Sequence, residues 1–470
     1  MISGGTKMSE QTHRDIKIAY IGGGSRGWAW GLMGDLAGEK AISGTVALYD
    51  IDFSAAKDNE IIGNQLNEHP DSIGKWTYEA FRSLPDALKG ADFVIISILP
   101  GTFDEMHSDV HLPEEYGIYQ SVGDTVGPGG IIRALRSIPM YVEIAEAIRD
   151  HAPAAWVINY TNPMSLCTRT LYEVFPEVKA FGCCHEVFGT QQLMVEMLED
   201  MCGIKRVNRR DIEVNVLGIN HFTWLDRASY KGMDLFPIYR EFANKYAETG
   251  TGDNSQTDHW LNSFFGSGNR IHFDLFRRYG VIAAAGDRHL AEFMPHSWYL
   301  SSPERVHEWK IGLTPVSWRK ENRKNLLIRS KKLIDGTEKM TPKPSGEEGV
   351  EMLLALLGSG RIITNVNLPN RGQITNLPLG AIVETNAVFG ANLVQPLLAG
   401  ALPEAVNNLV IRHLYNQETT LQAALKKDKA VAFRAFANDP LVSILAPNRA
   451  EELFNRMLDN TKAYLPGWEL

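Results

Sequence analysis

Read for its alternation of apolar and polar positions, the first two hundred residues divide into short apolar runs separated by amphipathic stretches. KIAYIGGG (17–24) reads as a strand ending in a glycine turn, and Ser25 to Glu39 as the helix that follows. TVALYD (45–50) predicts a second strand, with a helix over 54–67 behind it. ADFVIISILP (91–100) is apolar almost throughout, the pattern of a strand covered on both faces. A helix over 131–150, the strand WVINY (156–160), a helix opening at Pro163, the strand VKAFGC (178–183) and a helix over 188–202 continue the alternation. Strands and helices in this order predict a doubly wound parallel sheet, an α/β domain over 15–205.

Beyond about residue 205 the rhythm changes. DIEVNVLGINHFTWL (211–225) reads as a strand running into a turn, and 255–345 is rich in charge and aromatics with mixed periodicity. EEGVEMLLALLG (347–358) returns to a strong helical pattern. The chain carries neither repeats nor an obvious linker, so residues 206–470 are expected to pack tightly against the first domain, and helix 347–358 to be buried within the monomer.

Composition then narrows the partners. A 470-residue chain at 44% hydrophobic and 22% charged residues is long enough for two or three domains. Its formal charge of −9 comes without a long Lys/Arg stripe, which argues against nucleic acid and against anionic membrane surfaces. No apolar run approaches the ~20 residues of a membrane span. Residues 1–14, dominated by Gly, Ser and Thr, are expected to form a disordered leader, with Met8 a candidate start. Four cysteines, Cys167, Cys183, Cys184 and Cys202, make no disulfide framework, so a reducing cytoplasm is expected.

Two features carry chemistry. In the first, Gly22, Gly24 and Gly27 match G-x-G-x-x-G directly after a predicted strand and at the start of a helix. The first glycine permits a tight turn, the second lets backbone approach a pyrophosphate, and the third lets helix and strand pack closely. Asp50 ends the next strand, where a carboxylate accepts from ribose hydroxyls and repels a 2′-phosphate. NAD is therefore favoured over NADP. The second feature is a set of polar strand ends: INYTNPM with Asn162, GCCHE with Cys184 and His185, and GINH with His221. The carboxyl edge of an open α/β sheet is where ligands bind. Cys184 and His221 could hold a divalent metal with positions left open; the spacing lacks C-x-x-C, and two buried structural residues are the other reading.

Taken together, KIAYIGGGSRGW, LYDID, VGDTVGPGGIIRALRSIP, NYTNPM, GCCHEVFG, GINHFTW and AAGDRHLAEF resemble the family 4 glycoside hydrolases, over nearly the whole chain from Lys17. The CHEV tetrad (184–187) is similar to the α-galacturonidase branch, and His185 argues against a sugar 6-phosphate; α-glucosidase and α-galactosidase branches also carry Cys-His. The resemblance implies an NAD-binding Rossmann domain followed by an α+β domain like that of lactate and malate dehydrogenases, NAD and Mn²⁺ as cofactors, and a homodimer or homotetramer. It implies elimination rather than displacement: oxidation at C3, loss of the C2 proton, departure of the glycosidic oxygen, addition of water, and return of the hydride. By motif, Cys184 and His221 are the implied metal ligands and Asn162 a substrate contact. His185 is the implied general acid and Asp287 the candidate base at C2. A uronate needs a cation, for which Arg133 and Arg288 are candidates. The rival readings are an NAD-dependent sugar-acid dehydrogenase and a dinucleotide-sensing regulator.

Overall fold

A computed structural model describes residues 12–252 and 265–469. Six strands of the first half are β1 (His13–Ile21), β2 (Ile42–Tyr49), β3 (Lys75–Phe81), β4 (Phe93–Ile96), β5 (Trp156–Asn159) and β6 (Lys179–Gly182). They pair in parallel in the order β3-β2-β1-β4-β5-β6. The central strands are sealed: Phe93 to Ile96 of β4 are all buried, which is why that segment reads as a continuous apolar run. The expected leader lies mostly outside the described residues, but His13 and Arg14 already belong to β1, with His13 paired to Ile42.

The second half packs against the first and also shares its sheet. It contributes the hairpin of β7 (Ile212–Ile219) and β8 (Phe222–Tyr230), with short β9 (Met233–Asp234) and β10 (Ile282–Ala283) alongside β8. The stretch 211–225 is thus one hairpin arm, its turn, and the start of the other arm. Then β11 (Ile362–Pro369), β12 (Ile382–Gly390) and β13 (Leu393–Pro396) extend the parallel sheet, β11 lying antiparallel to β6 with Asn367 opposite Gly182. A single nine-stranded sheet therefore crosses the expected boundary at residue 205.

Helix Gly349–Leu356 packs against β11, β12 and helix Trp28–Ala37, burying Val350, Met352, Leu353, Ala355 and Leu356. This is the burial within the chain that its pattern predicts. No helix among the described residues is long and apolar enough to cross a membrane. Cys167, Cys183 and Cys184 are buried free thiols, and Cys202 is an exposed one.

Candidate active site

The glycine loop joins β1 to helix Trp28–Ala37. Gly22 has φ +93°, and a Cβ there would lie 2.0 Å from the Ser97 carbonyl oxygen, so only glycine fits. The amides of Gly22 and Gly23 both donate to the Tyr49 carbonyl at 2.9 Å. The close packing expected at Gly27 is met at Gly24 instead: a Cβ on Gly24 would reach Ala55 Cβ at 2.6 Å, whereas one on Gly27 meets nothing within 4 Å. Asp50 follows β2 directly; its Oδ2 accepts from Gly24 N–H at 2.9 Å and its Oδ1 from Asp52 N–H at 2.9 Å. The loop and the acid are thus one hydrogen-bonded unit.

Across the sheet edge, the β7–β8 turn places His221 in the left-handed region at φ +64°, an unusual conformation for a non-glycine residue. Its Nδ1 lies 2.9 Å from Thr125 Oγ1, which leaves Nε2 available to a ligand. Asp124, His221 and His289 bring one donor atom each to within 4.8 Å of one another. The His221 and His289 rings lie 3.7 Å apart, centroid to centroid. Burial, followed by His289, depresses the His221 imidazole to about 3, so it is neutral and able to ligate. Burial alone would raise the Asp124 carboxyl, but His289, Arg133 and His221 hold it well below the ordinary range. A carboxylate oxygen and two imidazoles suit a divalent transition ion.

The loop that carries Asp124 is fastened by helix Asp287–Phe293. Glu292 Oε1 accepts from the amides of Val122 (2.6 Å) and Gly123 (2.9 Å), and Ser121 Oγ donates to the Arg288 carbonyl (2.5 Å). Asn162 Nδ2 donates to Asp124 Oδ2 at 3.2 Å, and the Asn162 carbonyl accepts from Arg133 Nε at 3.0 Å. The Asn162–Pro163 peptide is cis. Asn162 Oδ1, Asn220 Oδ1 and His289 Nδ1 are buried without a hydrogen-bond partner. Unmet polar atoms at one spot are what a site looks like before its ligand is counted.

Cys184 lies two residues beyond the end of β6 and outside the trio. Its carbonyl accepts from Asn365 Nδ2 at 3.1 Å. Its thiol lies beside Asn220, the residue preceding His221; burial, Glu384 and Glu186 push that thiol up. His185, half-exposed with 54% of its side chain accessible, places Nδ1 2.8 Å from Glu347 Oε1. That hydrogen bond raises the imidazole above its ordinary value. Burial disfavours the Glu186 carboxylate, yet His289, His221 and His185 pull it down to about 2. Glu186 also accepts from Gly286 N–H at 2.5 Å.

Asp287, the candidate base at C2, faces helix Arg270–Tyr279. It is fully buried; Oδ1 accepts from His272 N–H (3.0 Å) and sits 2.6 Å from His272 Nδ1, while Oδ2 accepts from Ile271 N–H (3.2 Å). The carboxylate is consumed by the open N–H groups at the start of helix Arg270–Tyr279. The same motif reaches the crevice through His289 instead. Replacing Asp287 by asparagine is accordingly expected to cost about 3 kcal/mol of stability, because a buried donor set loses the charge and one of its two acceptor oxygens, and an NH2 donor takes that oxygen's place. Denaturant unfolding monitored by circular dichroism measures this loss.

The family 4 glycosyl hydrolase profile matches residues 17–200, and the profile for that family's C-terminal domain matches residues 216–442. The chain belongs to glycosyl hydrolase family 4. Among its relatives, an α-galacturonidase of Thermoanaerobacterium saccharolyticum is 64% identical over 456 residues, covering 97% of this chain and 98% of the relative. A solved Bacillus subtilis structure is 56% identical with a TM-score of 0.90, over 95% of this glycosidase and all of that chain. The glycosidase also has the fold of a Thermotoga maritima 6-phospho-β-glucosidase solved with manganese, NAD⁺ and glucose-6-phosphate. That chain is 21% identical, with a TM-score of 0.74 over 96% and 99% of the two chains.

Proposed function

We propose that this family 4 enzyme hydrolyses α-linked galacturonides, with NAD and a divalent metal, Mn²⁺ by analogy, as cofactors. The observation that carries the substrate class is the charge of the crevice. Arg133, Arg288 and Arg319 all act on Asp124, and none of the three is ion-paired with a described residue. A divalent cation adds further positive charge, so a neutral sugar would leave the site overcharged and an anionic sugar balances it.

His221, Asp124 and His289 would hold the metal, joined by Cys184, which the family pattern assigns; a bound cation reverses the influences that keep the thiol protonated. The glycine loop and Asp50 would hold the dinucleotide. When bound, the nicotinamide supplies a hydride acceptor at C3 and the metal an electrophile for the sugar oxygens. The chain's own contributions are positional and acid–base. Asn162, fixed by Asp124 and Arg133, offers its free Oδ1 to a sugar hydroxyl. His185, whose imidazole is raised above its ordinary value by Glu347, stands at the rim as proton donor to the departing oxygen. Three buried thiols without a disulfide fit a reducing cytoplasm.

An activity panel tests the substrate: with Mn²⁺, NAD⁺ and a reductant, cleavage of an α-galacturonide but not of the matching α-galactoside or α-glucoside is expected. Equal turnover of the galactoside contradicts the assignment. For the cofactor, Asp50→Asn is expected to weaken NAD⁺ binding about tenfold and to narrow the gap to NADP⁺, since the repulsion of a 2′-phosphate is lost. Fluorescence titration with both nucleotides reads it.

A further inference from the structure

Three arginines crowd the crevice, and they differ in how much of their hydrogen-bonding capacity the fold has already used. Arg133 is buried, with Nε committed to the Asn162 carbonyl. Arg288 spends Nη2 on the Ser121 carbonyl and on Thr314 Oγ1, and Nε on the Gly312 carbonyl at 3.4 Å. Arg319 makes no hydrogen bond and no ion pair with any described residue, although it is half-buried and loses hydration there.

The fold nevertheless holds Arg319 against the site. It lies in the first turn of helix Val316–Ile334, and the segment leading into that helix is pinned to the Asp124 loop by Thr314 Oγ1 donating to the Ser121 carbonyl at 3.1 Å. The helix start is anchored a second time by Val316 N–H donating to His111 Nε2 at 3.1 Å. The Arg319 guanidinium lies over the Phe265 ring, 5.6 Å from its centroid, and Arg288 lies 5.2 Å from the same centroid. Trp318 packs edge-on against that ring at 4.9 Å. Two guanidiniums share one aromatic platform; the Asp124 carboxylate acts on both through space but is ion-paired with neither. Two positive charges this close favour a further anion beside them, and the planar fork of an arginine matches a carboxylate in two parallel N–H···O bonds.

We infer that Arg319 is the specificity residue of this enzyme, donating a bidentate pair of hydrogen bonds to the carboxylate of the bound uronate. Phe265 and Trp318 hold the fork in place, and Arg288 adds charge without giving up its structural bonds. The inference rests on the galacturonide reading above, and the test separates the two.

Arg319→Gln and Arg319→Lys are compared with wild type on nitrophenyl α-galacturonide and nitrophenyl α-galactoside, and galacturonate and galactose affinities are measured by calorimetry. Arg319→Gln is expected to raise KM for the galacturonide about 10- to 100-fold with kcat changed far less. It is also expected to erase the preference for galacturonate over galactose. Arg319→Lys should recover only part, because a point charge lacks the fork. Arg323→Gln, an exposed position one turn along the same helix, should leave KM unchanged. A folded Arg319→Gln, or failing that a folded Arg319→Lys, with wild-type KM and wild-type galacturonate affinity overturns the assignment and leaves the galacturonidase reading intact. A wild-type enzyme that cleaves both glycosides equally overturns that reading itself.

Discussion

Replacing His221 by alanine should reduce kcat on the order of a thousandfold and weaken Mn²⁺ binding in the same preparation. The size follows from what the imidazole does. It belongs to the Asp124, His221 and His289 group, its Nδ1 is oriented by Thr125, and it is neutral in the fold. Losing it removes both a ligand and the electrostatic stabilisation that a held cation gives to charge developing on the sugar oxygens. Metal affinity is read separately, by manganese electron paramagnetic resonance titration, so that lost binding is distinguished from lost chemistry. Asp124→Asn, His289→Ala and Cys184→Ser should each weaken the ion, His221→Ala the most. A His221→Ala enzyme with wild-type Mn²⁺ affinity would remove the metal assignment.

The second large effect concerns His185. Its Nδ1 pairs with Glu347 at 2.8 Å, and Glu186 lies 4.0 Å from Nε2. The hydrogen bond to Glu347, opposed by burial and helped by the charges of Glu347 and Glu186, raises the imidazole above its ordinary 6.5. A proton donor must be protonated, so the rate it supports is present at low pH and lost as pH rises through this raised value. Glu347→Gln removes the negative charge behind that hydrogen bond, and the alkaline limb of kcat/KM should move to lower pH. His185→Asn should cost roughly a hundredfold or more for an alkyl or sugar leaving group, and much less for nitrophenolate, which departs with little help. An alkaline limb unmoved in Glu347→Gln would reassign the proton donor.

The parallel sheet is legible in the sequence because its strands, sealed on both faces, are unbroken apolar runs, and because the glycine loop marks the first turn. Local pattern fails where pairing is distant. Nothing near Ile362 or Ile382 says that these strands will extend a sheet begun at His13. The edge strand Lys75–Phe81 alternates exposed and buried positions and makes a weaker signal. The site divides in the same way. Asn162, Cys184, His185 and His221 stand at strand ends or turns, where the sheet itself directs them to the crevice. Asp124 and His289 are held near His221 by tertiary contacts, among them the staple between Glu292 and the 122–123 amides, a contact spanning about 170 residues that no spacing rule reveals. In AAGDRHL, three adjacent polar residues on one helical turn cannot all face one way. Asp287 turns to the preceding helix, Arg288 to the Ser121 carbonyl and the Thr314 hydroxyl, and His289 to the candidate metal group.

The most direct test of the account as a whole is cofactor stoichiometry during turnover. Wild-type enzyme is incubated with an excess of α-galacturonide, Mn²⁺ and NAD⁺ at a small fraction of the substrate concentration, while free galacturonate and NADH absorbance are followed together. The account predicts many equivalents of galacturonate released per NAD⁺ with no net NADH, and loss of that release when either cofactor is withheld. Stoichiometric NADH with the glycoside intact would contradict it and identify a dehydrogenase.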